Sequence, residues 1–285
     1  MRGESREGRQ EARNQVLSDG TAQSAGSILP VRSFVALGDS FTEGVGDPYP
    51  DGTFRGWADR FAGHLAAVSP GLRYANLAIR GKVLSQVAEE QIPAAIAMAS
   101  DLVSIAAGGN DLLRPKADPD ALAATFEQAI AALRQAGGQV MLFTGFDPGG
   151  FPVIRLIRGK AAAFNAQLRE IARKHGCLHV DLWSMRVLAD PREWCEDRLH
   201  LAPDGHRRVA LRASEVAGIP VAADWREALP PNPAGQPHWL AARQQDMYWA
   251  RTYAAPWLQR RLRGTSSGDG VRAKRPSLVP YQTIG

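Results

Sequence analysis

The sequence predicts an α/β domain of three layers, α/β/α, in which helices cover both faces of a five-stranded parallel sheet. Two observations carry that prediction. Short apolar runs alternate along the middle of the chain with longer amphipathic stretches, and strands alternating with helices imply βαβ units and hence a parallel sheet. The chain has 285 residues, 45% hydrophobic and 22% charged, which suits one sizeable soluble domain with extra terminal segments.

In order, the expected strands are 31–37, 74–77, 102–106, 139–143 and 178–181, each a short apolar run. The helical patterns between and after them are 56–67, 83–99, 118–136, 161–175 and 204–217. This is the doubly wound arrangement of flavodoxin-like domains, expected over 31–222, and ligands bind such sheets beyond the carboxyl ends of their strands. Residues 1–30 are rich in Arg, Glu, Gln, Ser and Gly and lack the apolar stretch of an export signal, so they read as a disordered arm. Beyond the domain, 223–263 reads as a helical extension. It holds a run with four prolines at 230–237, then Trp239, Leu240, Met247, Trp249, Tyr253, Trp257, Leu258 and Leu262, with an interruption expected near Pro256. Residues 264–285 read as a basic disordered tail.

The net charge of +5 belongs to the C-terminal end: 251–285 carries seven basic residues and one acid, Asp269. A basic segment beside tryptophans fits attachment to an anionic membrane surface or to nucleic acid. It also fits a helix packed back on the domain followed by a solvated tail, and that reading is preferred. No nucleic-acid partner is therefore expected, and any membrane contact through the tail would be weak. No apolar run reaches the roughly 18 residues needed to cross a bilayer. With no export signal, a cytoplasmic location and free thiols at Cys177 and Cys195 are expected.

The loops after the strands hold the candidate chemistry. Gly38-Asp39-Ser40 follows the first strand, where a serine is exposed to a cleft and needs a base to become a nucleophile. Gly81 follows the second strand, where a glycine lets the backbone approach a ligand. Gly108-Gly109-Asn110-Asp111 follows the third, and an asparagine amide there can donate to an oxyanion. Asp197-Arg198-Leu199-His200 follows the fifth, with His200 as base and Asp197 as the acid that fixes its tautomer. Each block read alone fits an ordinary turn as well. His206 competes as the base, but Pro203-Asp204-Gly205 reads as a helix start, which favours His200. Asp39 and Asp111 are expected to hold their loops by hydrogen bonds. The 145–151 loop, with Phe146 and Phe151, and Phe41 are candidate walls of an acyl pocket.

As an ordered set along one edge of the sheet, these blocks resemble the SGNH (GDSL-type) hydrolases, and actinobacterial members in particular, over about 31–217. The resemblance implies Ser40, Asp197 and His200 as a catalytic triad. It implies an oxyanion hole from the N–H groups of Ser40 and Gly81 and the side chain of Asn110, and hydrolysis of a small-molecule ester without metal or cofactor. Arg80, before the glycine, departs from the small residue common there. A nucleotide- or flavin-binding reading lacks its motifs: there is no Gly-rich loop ending in Lys-Ser/Thr, and Gly44-Val45-Gly46 lacks a third glycine. A non-catalytic binding module, and an acyltransferase or thioesterase on the same fold, remain as alternatives.

Overall fold

The computed structural model describes residues 30–151, 154–231, 239–256, 259, 263 and 265–282. Six strands form one sheet: β1 (Ser33–Gly38), β2 (Arg73–Asn76), β3 (Leu102–Ala106), β4 (Gln139–Thr144), β5 (Leu178–Asp181) and β6 (Arg275–Pro280). Their spatial order is β5-β4-β3-β1-β2-β6. The first five are parallel, and β6 runs antiparallel along β2.

Alternation along β1 explains the layers. Phe34 and Ala36 face a core built with Trp57, Phe61 and Leu65 of α1 (Gly56–Val68), while Val35 and Leu37 face a second core on the other side. Helix α5 (Pro203–Val216) covers the first face beside α1. The segment α2 over 84–97, then α3 (Pro119–Gln135) and α4 (Arg158–Lys174), cover the second. Local chemistry sets several of these starts. Asp118 caps α3 by accepting from the Asp120 amide at 3.0 Å, and Pro119 and Pro203 sit where a missing N–H costs nothing. At Gly44 and Gly56 two backbones touch: a Cβ on Gly56 would lie 2.3 Å from the Gly44 Cα, so the turn after β1 rests directly on the start of α1.

Three expectations need correction. The sheet has six strands rather than five, because the segment from 264 onward, read as a disordered tail, contains β6. Lys274 is not solvated: its ammonium lies 2.8 Å from the buried Asp59 carboxylate and donates to the carbonyls of Phe54 and Arg55. Tyr281 adds a hydrogen bond from its hydroxyl to the Asp59 carbonyl. The helix expected over 83–99 is broken into Leu84–Gln86, a π-helical turn Val87–Gln91, and Ile92–Ala97. In the extension, helix α6 (Trp239–Trp249) passes into a π-helical turn, Ala250–Ala254, just ahead of Pro256, where an interruption was expected. Pro256 has no N–H to close an α-turn on Thr252, which favours the wider register. The N-terminal arm before Pro30, most of the proline-rich run, and Trp257, Leu258 and Leu262 lie outside the described residues. Among the described residues no helix is long and apolar enough to cross a membrane.

Candidate active site

Ser40 is the first residue of a one-turn helix, Ser40–Glu43, at the carboxyl end of β1. Asp39 caps the turn, its carboxylate accepting from the Phe41 amide at 3.1 Å. Gly38, just before, has φ of +145°, and a Cβ there would lie 2.3 Å from the Ala106 carbonyl oxygen, so only glycine lets β1 and β3 meet at this point. A residue that sequence reading missed clamps the same glycine. Gln91, buried in the π-helical turn, accepts from the Gly38 amide at 2.8 Å and donates to its carbonyl at 2.9 Å. The extra residue of a π-turn leaves no trace in hydrophobic periodicity, so nothing in the sequence announced it.

On the far side of the cleft, residues 197–200 fold into a tight turn. The Asp197 carboxylate accepts from the amides of Leu199 and His200, each at 3.0 Å, and its other oxygen lies 2.6 Å from His200 Nδ1. Burial works against the Asp197 charge, but His200 and those two amides outweigh it and hold the carboxyl below its ordinary range. An ionised carboxylate can only accept, so His200 Nδ1 carries the proton and Nε2 is left as the basic nitrogen. Arg198, in the middle of the turn, has φ of +54°, an uncommon conformation for a side-chain-bearing residue. His206 is placed quite differently. It is fully buried, accepting at Nδ1 from the Trp57 amide and donating from Nε2 to the Val45 carbonyl, and burial lowers it to about 4.

Ser40 and His200 line one cleft of about 150 Å³, together with Asp39, Phe41, Phe143, Phe146, Trp194 and Leu199. Its walls are mostly apolar. Phe146 and Phe151 pack on Trp194 with ring centroids 4.3 and 4.9 Å away, and Trp194 is fixed by a hydrogen bond to the Leu188 carbonyl. Trp194 and Asn165, which ties both the amide and the carbonyl of Gly145 at 2.8 Å, were not singled out in the sequence.

Asn110 and Gly81 stand at the edge of this arrangement. The Asn110 amide donates to the Lys82 carbonyl at 3.0 Å and to the Asp39 carboxylate at 3.2 Å, which ties the third block to the first two. Gly81 has φ of +76° and does not line the cleft itself; it lies beneath Ser266, whose hydroxyl would be 2.1 Å from a Cβ there. The unusual Arg80 finds its reason here. Its amide and guanidinium both bind the buried Glu43 carboxylate, joining the second block to the Ser40 turn. Asp111 accepts from the Leu84 amide at 2.9 Å and so holds the start of α2. Asp39 is pushed up to about 6 by burial, against the Phe41 amide and His200, which lower it, with Asp111 and Glu43 adding to the rise. Both cysteines are free, and burial pushes each thiol up to about 11. Among the described residues no group of His, Cys, Asp and Glu could hold a metal ion.

Comparison with solved structures finds the same fold. LAE5, an α/β hydrolase enzyme from the metagenome of Lake Arreo, Spain, is 21% identical, with a TM-score of 0.58 over 68% of this chain and 99% of its own. Axe2, an acetylxylan esterase from Geobacillus stearothermophilus, is also 21% identical, with a TM-score of 0.55 over 70% of this chain and 97% of its own. No curated protein matches the chain. The sequence model of the GDSL-like lipase/acylhydrolase family matches residues 36–208, more than half of the chain and the stretch that holds Ser40, Gly81, Asn110, Asp197 and His200. The chain therefore belongs to the GDSL-like lipase/acylhydrolase family.

Proposed function

We propose that the protein is a serine esterase acting on small esters with short acyl chains. The observation that carries this is a serine at the start of a turn, sharing an apolar cleft with a histidine whose Nδ1 is held by an ionised carboxylate. His200 Nε2 takes the proton of Ser40 as its oxygen attacks the ester carbonyl. Asp197 holds the ring and stabilises its cationic form. The Ser40 amide, first of its turn and without an intrahelical acceptor, and the Asn110 side chain stabilise the oxyanion, with Gly81 set back from the cleft beneath Ser266. Asn110 can do so by giving up its longer contact, that to Asp39. Protonated His200 releases the alcohol, and water then attacks the acyl-enzyme by the reverse path.

A cleft of about 150 Å³ favours a small acyl group over a long lipid tail. The acetylxylan esterase activity of Axe2 agrees with that preference. The test is hydrolysis of p-nitrophenyl esters from acetate to palmitate by wild type and Ser40→Ala. Activity that peaks at the short chains and disappears with Ser40 supports the reading. Activity that survives Ser40→Ala overturns it, and a palmitate optimum overturns the chain-length part.

A further inference from the structure

The region matched by the family ends at 208, yet the chain returns to the site much later. Helix α6 and its π-helical continuation lie along the turn that carries Asp197 and His200. Three residues on one face of this helical run take up three consecutive residues of the loop, in reverse order. Asp246 pairs with Arg198 at 2.6 Å. The Trp249 indole N–H donates to the Asp197 carbonyl at 2.8 Å. The Tyr253 hydroxyl donates to the Glu196 carboxylate at 3.0 Å. Asp246, Trp249 and Tyr253 are part-buried, whereas Met247, Tyr248 and Ala250 beside them are exposed. The spacing of three and then four places them on one stripe.

We propose that this extension is a working part of the active site, and that Trp249 and Asp246 are positioning residues for the Asp197–His200 pair. The proposal rests on the esterase reading above. Its physical basis is the strained turn. Arg198 adopts a left-handed conformation between the acid and the base, and such a conformation persists where its surroundings hold it. Asp246 fixes the Arg198 guanidinium, which also lies over the Trp249 ring, 5.6 Å from its centroid. The Trp249 N–H fixes the carbonyl of Asp197 itself. With both contacts made, the carboxylate is presented to His200 Nδ1 in one orientation. Without them the turn can relax, the 2.6 Å hydrogen bond is made only part of the time, and the imidazolium formed during attack loses its partner.

The experiment compares wild type, Trp249→Phe, Asp246→Asn, Asp246→Glu and Ser40→Ala. Trp249→Phe keeps an aromatic ring beneath Arg198 but removes the N–H donor together with the smaller ring of the indole. We expect kcat for p-nitrophenyl acetate to fall about 5- to 30-fold in Trp249→Phe and in Asp246→Asn, the worth of roughly 1–2 kcal/mol. KM should stay within twofold, the acidic limb of the pH–rate profile should move, and Asp246→Glu should recover most of the loss. A merely structural helix would lower the melting temperature and leave the pH limb in place. The second readout needs no turnover: the downfield proton resonance of His200 Nδ1, identified by its loss in His200→Ala, should broaden in Trp249→Phe. A sharp resonance in Trp249→Phe, or an unmoved pH limb with wild-type kcat in both variants, overturns the proposal. If activity instead survives in Ser40→Ala, the esterase reading fails, and the resonance still decides whether Trp249 orders the pair.

Discussion

Replacing Gln91 by leucine tests how the nucleophile turn is held. Gln91 makes two hydrogen bonds to the buried Gly38, at 2.8 Å to its amide and 2.9 Å to its carbonyl. The two losses are unequal. The carbonyl keeps a 3.3 Å contact from the Ile79 amide, whereas the amide loses its 2.8 Å acceptor. A buried donor left unsatisfied costs about 1–3 kcal/mol, and the lost carbonyl bond adds about 1 kcal/mol. Gln91→Leu should thus be destabilised by roughly 2–4 kcal/mol, or a melting temperature lower by roughly 4–16 °C. Because Ser40 is two residues from Gly38, a displacement of about 1 Å would also cost about 10²-fold in turnover. Gln91→Glu sharpens the test. Ionised, it accepts from the amide but opposes a second acceptor at the carbonyl; protonated, it restores both bonds. Its folded pKa is therefore raised above the unfolded value, and its stability should be greatest at acid pH and be lost as pH rises through the folded value. Urea unfolding at several pH values and p-nitrophenyl acetate hydrolysis measure both effects. A leucine variant that unfolds and turns over like wild type would refute the clamp.

Asn110→Ala should lower kcat by about 10²–10³ with a folded protein by circular dichroism, and wild-type turnover would remove Asn110 from the oxyanion hole. His206, lowered to about 4 by burial, is neutral when folded and protonated when unfolded between there and about 6.5. The unfolded chain then binds the extra proton, so this residue's contribution falls as pH drops through that window, by roughly 3 kcal/mol in all. Asp39, raised to about 6, and Glu193, raised to about 7, act in the opposite sense, so the measurement is the difference in urea-midpoint slope between wild type and His206→Gln. Equal slopes would contradict a buried neutral His206. Lys274→Met leaves the buried Asp59 carboxylate without its ammonium partner and should cost about 3–5 kcal/mol, with faster amide exchange in β6; unchanged exchange would show that the pair does not hold the strand.

Periodicity made the first five strands and the unbroken helices α1, α3, α4 and α5 legible, because each apolar run is covered on both faces and each of these helices shows one apolar stripe. The site blocks were legible as an ordered set, since a parallel sheet delivers every loop after a strand to one edge. Choosing between His200 and His206 rested on a helix start. The structure adds the physical contrast, one ring at a cleft beside a carboxylate and the other locked neutral in the core. Other features could not be read. A π-turn has no period of its own, so Gln91 looked like any helical glutamine. Arg80 and Glu43 are 37 positions apart, and their pairing emerges only when two loops meet. Arg-Pro-Ser-Leu-Val-Pro looked like a solvated tail because charge and proline dominate it. Its lysine neighbour turns inward only because Asp59 waits inside.

The prolines of β6 have a consequence for how the molecule meets its own copies. Tyr281 donates its amide to the Leu72 carbonyl across the β2 pairing. In an antiparallel ladder alternate residues turn their N–H groups inward and outward, so Pro280, the next residue back, stands where an outward N–H would otherwise be. A strand edge that lacks donors at such positions is a poor template for another chain. The segment thus covers the exposed flank of β2 and ends the sheet with a border that resists edge-to-edge association and domain exchange.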